Sequence, residues 1–419
     1  MQKLVINGGK KLNGEIRVQG AKNSILPIMS AAVLVHGETL LFNCPELSDV
    51  YAAGRILNYI GIKVNVPYPG SLLINNTGTV RSNISEELMR QMRSSIIFLG
   101  ALLGEHGECE LFFPGGCQLG PRPIDIHLSA LKQMGVNITE EHGSIRCKAC
   151  SGGLKGCRII LQFPSVGATE NIILAAVKAK GETEIKNAAR EPEIHDLINY
   201  LNKCGAKIDC SEDGTIRING VSELYGCEHR IIPDRIAAAT YMAAAAMTGG
   251  VLRLTDTKDI DVSSFSSFFE QMGCSMCVCS DDVYIKSSKR LKKIKFFKTM
   301  PYPGFPTDMQ AIFMAAMSIA DGTSVFEENI FESRYKHVDA LNRMGADIKV
   351  YGKIAVVEGV RQLWGANVEA TDLRGGAAMI LASLAASGES EISNILHIDR
   401  GYEKIDEILL SVGADIHRR

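Results

Sequence analysis

The sequence predicts an α/β protein of two domains assembled from six repeats, and three observations carry that expectation. The first is a phrase in which a helix end runs into a glycine and then a strand, written LNYIGIKV, LKQMGVNI, LNKCGAKI, FEQMGCSM, LNRMGADI and LLSVGADI. Its glycines, Gly61, Gly135, Gly205, Gly273, Gly345 and Gly413, follow one another at 74, 70, 68, 72 and 68 residues. The second is an Ala-rich helix ending at a glycine before a short apolar strand, as in AAVLVHGETLLF and LAASGESEIS, with glycines at 37, 107, 181, 249, 322 and 388. Two independent markers with one period define a repeating unit. The third is length, because 419 residues exceed what one ordinary core organises.

Glycine suits the left-handed position that closes a helix, so both phrases mark helix ends. Each unit of about 70 residues therefore holds two helices interleaved with short strands, and six such units split into two bodies of three. In chain order, an N-terminal strand segment (1–21) precedes the first repeat. The last repeat ends at the C-terminus and is expected to need that strand to complete its sheet. The expected domains are 1–21 plus 233–419, a discontinuous body with repeats four to six, and 22–232 with repeats one to three. The second boundary falls near His229–Pro233.

Composition narrows the function. The chain is 46% hydrophobic and 22% charged, with a net charge of −2, an ordinary globular balance without the basic field that nucleic acid or a membrane surface calls for. The opening MQKLVINGGKKLNG has no apolar core of a secretory signal, and the Ala-rich stretch around 236–248 is too short to span a bilayer. A cytoplasmic protein is expected. Its twelve cysteines then read as reduced thiols. The pairs Cys147/Cys150 and Cys274/Cys277 sit in strand-like segments without the further ligands zinc needs, so small packing side chains are expected and no metal.

The starts of the repeats' first helices are polar beyond structural need. Repeat one begins QGAKNS with Lys22 and Asn23, repeat two has Arg93, repeat four Asp234 and Arg235, repeat five Asp308, and repeat six Asp372 and Arg374. Each Asp taken singly reads as an N-cap. A cation there gains nothing from the helix dipole, so recurring Lys and Arg point to an anionic ligand. HIDRGYE (397–403) gathers His397, Asp399, Arg400 and Glu403, and FESR ends in Arg334. The stretch PGGCQLGPRP (114–123) is either a Gly/Pro turn with a buried thiol or a flexible arm carrying a reactive Cys117 beside Arg122. The helix after it, IDIHLSALKQM, places Ile124, Leu128, Leu131 and Met134 on one face, and His127 in its first turn reads as a satisfied hydrogen bonder. No dinucleotide or P-loop fingerprint and no nucleophile elbow occurs.

Together GAKN (20–23), PGGCQLGPRPID (114–125), SVGATEN (165–171), NAAREPEI (187–194), PDRI (233–236), FPTDMQ (305–310), TDLR (371–374) and HIDRGYE (397–403) resemble the enolpyruvyl transferases over essentially the whole chain. The Cys-bearing loop points to the branch that uses a UDP-sugar acceptor. The resemblance implies a two-domain inside-out α/β barrel of six βαβαββ-type units, with the active site in the cleft between the domains. It also implies transfer of the enolpyruvyl group of phosphoenolpyruvate to the 3′-hydroxyl of UDP-N-acetylglucosamine. The reaction releases phosphate and passes through a tetrahedral ketal. No cofactor is implied.

By the same resemblance Cys117 donates a proton to C3 of phosphoenolpyruvate and forms an adduct at C2, the site epoxide phosphonates such as fosfomycin alkylate. Asp308 is the base at the 3′-hydroxyl and Asp372 a second acid. Lys22, Asn23, Arg122, Arg374 and Arg400 bind phosphoenolpyruvate, with Lys22 and Arg400 also catalytic. Asn23, Arg93, Arg122, Pro123, Ile124, Asp125, Ile126, Ser165, Val166, Gly167, Asp308 and Ile330 line the UDP-sugar site. Two positions depart from the family pattern: Phe163 stands where relatives often carry a basic residue, and AAAT follows PDRI where they often place an acid. The competing expectations are transfer to another acceptor such as shikimate 3-phosphate, against which the Cys loop argues, and a non-catalytic six-repeat clamp, which has no use for cations at helix starts.

Overall fold

The computed structural model describes residues 2–115, 124–141, 143–287 and 290–419. Both glycine series close turns as the repeat demands. All twelve have positive φ, from 68° at Gly249 to 113° at Gly322, a region side chains rarely enter. Between them each repeat shows one buried helix and one amphipathic helix. The buried ones are Lys22–Ala31, Phe98–His106, Val166–Ala176, Arg235–Thr248, Thr307–Met317 and Leu373–Ala385. The amphipathic ones are Ser48–Ile60, Asp125–Gln133, Pro192–Lys203, Ser263–Gln271, Val338–Arg343 and Ile405–Ser411. Small side chains let the buried helices approach closely. A Cβ on Gly100 would lie 2.2 Å from the Asn171 carbonyl oxygen of the neighbouring helix.

The described chain divides into two compact units, one of residues 2–19 with Pro233–Arg419, the other of 20–115 with 124–232. Each has its own apolar core. Among the described residues there are six small sheets, five of four strands and one of three, and no ladder joins them into one closed barrel. The N-terminal segment serves two sheets of its unit. Leu4–Asn7 runs antiparallel between Glu389–Ser393 and Asp415–Arg418, and Asn13–Arg17 pairs parallel with Val251–Thr255. In the other unit the two ends of the segment also meet, because Glu228–Arg230, at its end, pairs parallel with Gly37–Phe42, near its start. No helix among the described residues is long and apolar enough to cross a membrane.

The packing expectation for the cysteines needs correction. All eleven described are free, and Cys44, Cys109, Cys147, Cys204 and Cys274 are buried, but Cys150, Cys277 and Cys279 are exposed. They sit on the outer faces or ends of strands, where one residue in two turns to solvent.

Candidate active site

The aspartates that look alike in sequence have different surroundings. Asp234 and Asp372 are N-caps: Asp234 Oδ1 accepts from Ile236 N and Ala237 N at 2.8 and 3.0 Å, and Asp372 Oδ1 from Arg374 N and Gly375 N, both at 3.0 Å. Asp308 lies one turn-position inside its helix, where Pro306 is the N-cap, so its carboxylate is left to other partners. Arg334 Nη2 donates to Asp308 Oδ1 at 3.0 Å and Arg374 Nη2 to Oδ2 at 3.4 Å. The Arg334 and Arg374 side chains are each 2% exposed and the Asp308 side chain 30%. A carboxylate is thereby held by two buried cations with part of its surface open.

Those cations are themselves fixed. Arg334 Nε and Nη2 donate to the Thr307 carbonyl at 3.2 and 2.9 Å, and its Nη1 lies 3.9 Å from Asp372. The Arg374 guanidinium sits over the Tyr402 ring, 5.3 Å from the centroid, and Tyr402 Oη is 2.9 Å from Thr240 Oγ1. Glu328 pins the adjoining loop, accepting from Thr299 Oγ1 and Thr307 Oγ1 at 3.0 Å each and from Ile330 N and Phe331 N at 2.8 and 3.1 Å. Fully buried His337 is pushed down to about 4 by desolvation; Asp372 opposes the shift and Arg334 adds to it. Half-buried His397 is lowered by burial and by Arg400 against the pull of Asp372, so Arg400 belongs to this charged neighbourhood. The unit thus gathers Asp308, Asp372, Arg374 and Arg400, with Ile330 in the loop Glu328 holds.

The other unit holds two groups. Lys22 opens its helix, and its Nζ lies 2.7 Å from Asp49 Oδ2, both side chains nearly buried, with Asn23 beside it half-buried. The second group surrounds His127. Its Nδ1 is 2.8 Å from Asn171 Nδ2, as a satisfied hydrogen bonder. Asn171 Oδ1 also accepts from Gly100 N at 2.6 Å. Gly167 faces the ring, where a Cβ would meet His127 Cε1 at 3.1 Å. Burial, then the Arg93 charge, lowers His127 to about 4, with Asp125 opposing. Ser165 caps the helix begun by Val166, accepting from Ala168 N at 3.4 Å. Arg93, Asp125, Ser165, Val166 and Gly167 are thereby brought around one neutral imidazole. Ile124 is buried and Ile126 half-buried in the same helix start, and Phe163 is exposed two residues before Ser165. Cys117, Arg122 and Pro123 lie outside the described residues.

Sequence reasoning noted Arg334 without giving it a role, and passed over Asp49, Glu328, His337 and Tyr402. Arg334 alone carried a signal, as a basic residue ending the FESR turn. The others are ordinary until distant segments meet.

Residues 6–409 match the family model described as EPSP synthase (3-phosphoshikimate 1-carboxyvinyltransferase). The chain belongs to the enolpyruvyl (carboxyvinyl) transferase family. Among its relatives, it is 48% identical over 419 residues, the whole of both chains, to the UDP-N-acetylglucosamine 1-carboxyvinyltransferase 2 of Caldanaerobacter subterraneus subsp. tengcongensis. It is 46% identical, again over the whole of both chains, to the UDP-N-acetylglucosamine 1-carboxyvinyltransferase 1 of Clostridium acetobutylicum. Its fold is similar to that of the enolpyruvyl transferase NikO from Streptomyces tendae, with a TM-score of 0.91 at 24% identity over 100% of this chain and 98% of that one. EPSP synthase from Acinetobacter baumannii gives 0.75 at 21% identity over the whole of both.

Proposed function

We propose that the protein transfers the enolpyruvyl group of phosphoenolpyruvate to the 3′-hydroxyl of UDP-N-acetylglucosamine, releasing phosphate, as a cytoplasmic step toward peptidoglycan precursors. The observation that carries this reading is the carboxylate of Asp308, part-exposed between the buried Arg334 and Arg374, in a chain 48% identical along its whole length to a relative so named. A hydroxyl nucleophile needs a fixed base within hydrogen-bond reach, and one guanidinium nitrogen from each arginine holds this carboxylate in place. Arg374, whose Nη2 alone reaches Asp308, also suits a grip on the carboxylate of the donor.

The remaining roles follow the chemistry. Phosphoenolpyruvate brings a phosphate and a carboxylate, so Lys22, Asn23, Arg122, Arg374 and Arg400 are assigned to it. Protonation at C3 turns C2 into an oxocarbenium-like electrophile, for which Cys117 is the acid and Asp372 the second carboxylate. The thiolate left behind is a nucleophile, which accounts for a covalent adduct at C2. Asn23, Arg93, Arg122 to Ile126, Ser165 to Gly167, Asp308 and Ile330 are assigned to the UDP-sugar.

The test joins phosphate release to labelling. With both substrates present the wild-type chain is expected to release phosphate, whereas shikimate 3-phosphate as acceptor gives none. Cys117→Ser is expected to lose most turnover. Fosfomycin is expected to label Cys117, with the exposed Cys150, Cys277 and Cys279 as competitors within the same chain. The buried Cys44 and Cys274 are poor competitors, since desolvation pushes their thiols up to about 12 and about 11. Full activity of Cys117→Ser, or label on a competitor instead, overturns the assignment of the acid.

A further inference from the structure

The helix Lys22–Ala31 starts against its own electrostatics. A lysine opens it, its first turn holds no acid, and Ala21 at the N-cap offers no side-chain acceptor. Uncapped N–H groups with a cation at the positive end make a turn that frays unless the surrounding fold supplies acceptors. Asp49 answers the charge of Lys22 at 2.7 Å, from the first turn of Ser48–Ile60. The Ser24 side chain is answered from elsewhere, by Asp196 in the helix Pro192–Lys203, and Ala21 N by the Ile232 carbonyl.

Asp196 Oδ2 accepts from the Ser24 hydroxyl and, at 3.3 Å, from Ile232 N. The Ile232 carbonyl accepts from Ala21 N at 2.7 Å, and the Ala21 carbonyl from Ser24 N at 3.1 Å. These four contacts form a closed ring of hydrogen bonds around residues 21 to 24. Behind it, His229 Nε2 lies 2.9 Å from Asp196 Oδ1, Lys203 Nζ is 3.4 Å from His229 Nδ1, and the Tyr200 ring packs edge-on to the imidazole at 5.6 Å. Ser24, Asp196 and His229 are all buried. A buried carboxylate is costly unless donors converge on it, and here three do.

We infer that Asp196, backed by His229, is a positioning residue that fixes the turn presenting Lys22 and Asn23. The inference rests on the reading that those two side chains bind phosphoenolpyruvate. Asp196 acts through Ser24 and Ile232 and touches no substrate itself. Ser24→Ala breaks the ring with a residue that favours helix, and Asp196→Asn keeps the shape while removing the charge.

The experiment has two arms. In steady-state kinetics, Ser24→Ala is expected to raise KM for phosphoenolpyruvate about tenfold, the scale of one hydrogen bond to a charged group, with kcat falling less. Asp196→Asn is expected to have a smaller effect in the Ser24→Ala background than alone. In hydrogen exchange without substrate, the amides of 21–25 are expected to exchange faster in both variants. A lowered thermal midpoint with kinetics and local exchange unchanged in Ser24→Ala overturns the inference. A wild-type chain that transfers nothing overturns the functional reading instead, and the exchange arm then still decides whether Asp196 holds the turn.

Discussion

The aspartates show how far a side chain's meaning depends on its partners. Asp234, Asp308 and Asp372 each stand at a helix start, yet two cap the helix and one is gripped by arginines. The histidines carry a testable consequence at the same scale. His127 and His337 are both held near 4 by burial, against about 6.5 in an unfolded chain. Between those values the unfolded chain binds protons the folded one does not, so stability falls as pH drops from about 6.5 to about 4 and loses nothing further below. Each histidine contributes up to about 3 kcal/mol over that window. His127→Gln is expected to flatten the thermal midpoint against pH there, and a slope equal to wild type would refute the neutral buried imidazole.

At the scale of elements, the structure adds a third glycine marker to the two legible in sequence. Gly156, Gly226 and Gly365 each stand two residues before a parallel edge strand, Arg158–Ile160, Glu228–Arg230 and Asn367–Glu369. At each, a Cβ would strike the partner strand's backbone, 1.9 Å from the Glu38 oxygen at Gly226. This marker is obscure in sequence because its cause is a contact across the sheet. Gly205, by contrast, needs its glycine only for φ of +105°, with nothing within 4 Å of a Cβ. Gly205→Ala is therefore expected to cost about 1 kcal/mol of unfolding free energy, the usual penalty of a left-handed side chain. Gly226→Ala is expected to cost about 3 kcal/mol or more, because backbone must move. Chemical denaturation compares the two, and an equal or reversed order would show that the strand yields.

At the scale of the molecule, the N-terminal segment ties the discontinuous unit together. Leu4–Asn7 is an inner strand of the last repeat's sheet, and Asn13–Arg17 an edge of the fourth repeat's. Removing an inner strand exposes two rows of unpaired backbone groups. A chain lacking residues 2–17 is expected to lose hydrogen-exchange protection in Glu389–Ser393, Asp415–Arg418 and Val251–Thr255, while Gly37–Phe42 in the other unit keeps it. Equal loss in both units would mean that they do not fold as separate cores.

The sequence by itself determined the period, the alternation of buried and amphipathic helices and the twelve turn glycines, because these answer to local sterics and to one-face burial. It also exposed the cations at helix starts, since a residue at odds with its own dipole is visible without a partner. Only the tertiary structure decided which acid caps and which is held by arginines, that Asp49 and Asp196 meet Lys22 and Ser24, and that Asn13–Arg17 joins the fourth repeat's sheet while the first strand completes the last repeat's as expected. Apart from the two caps, those outcomes join residues tens to hundreds of positions apart. No local pattern records such a contact, because its energy exists only once the chain has brought both ends to one place.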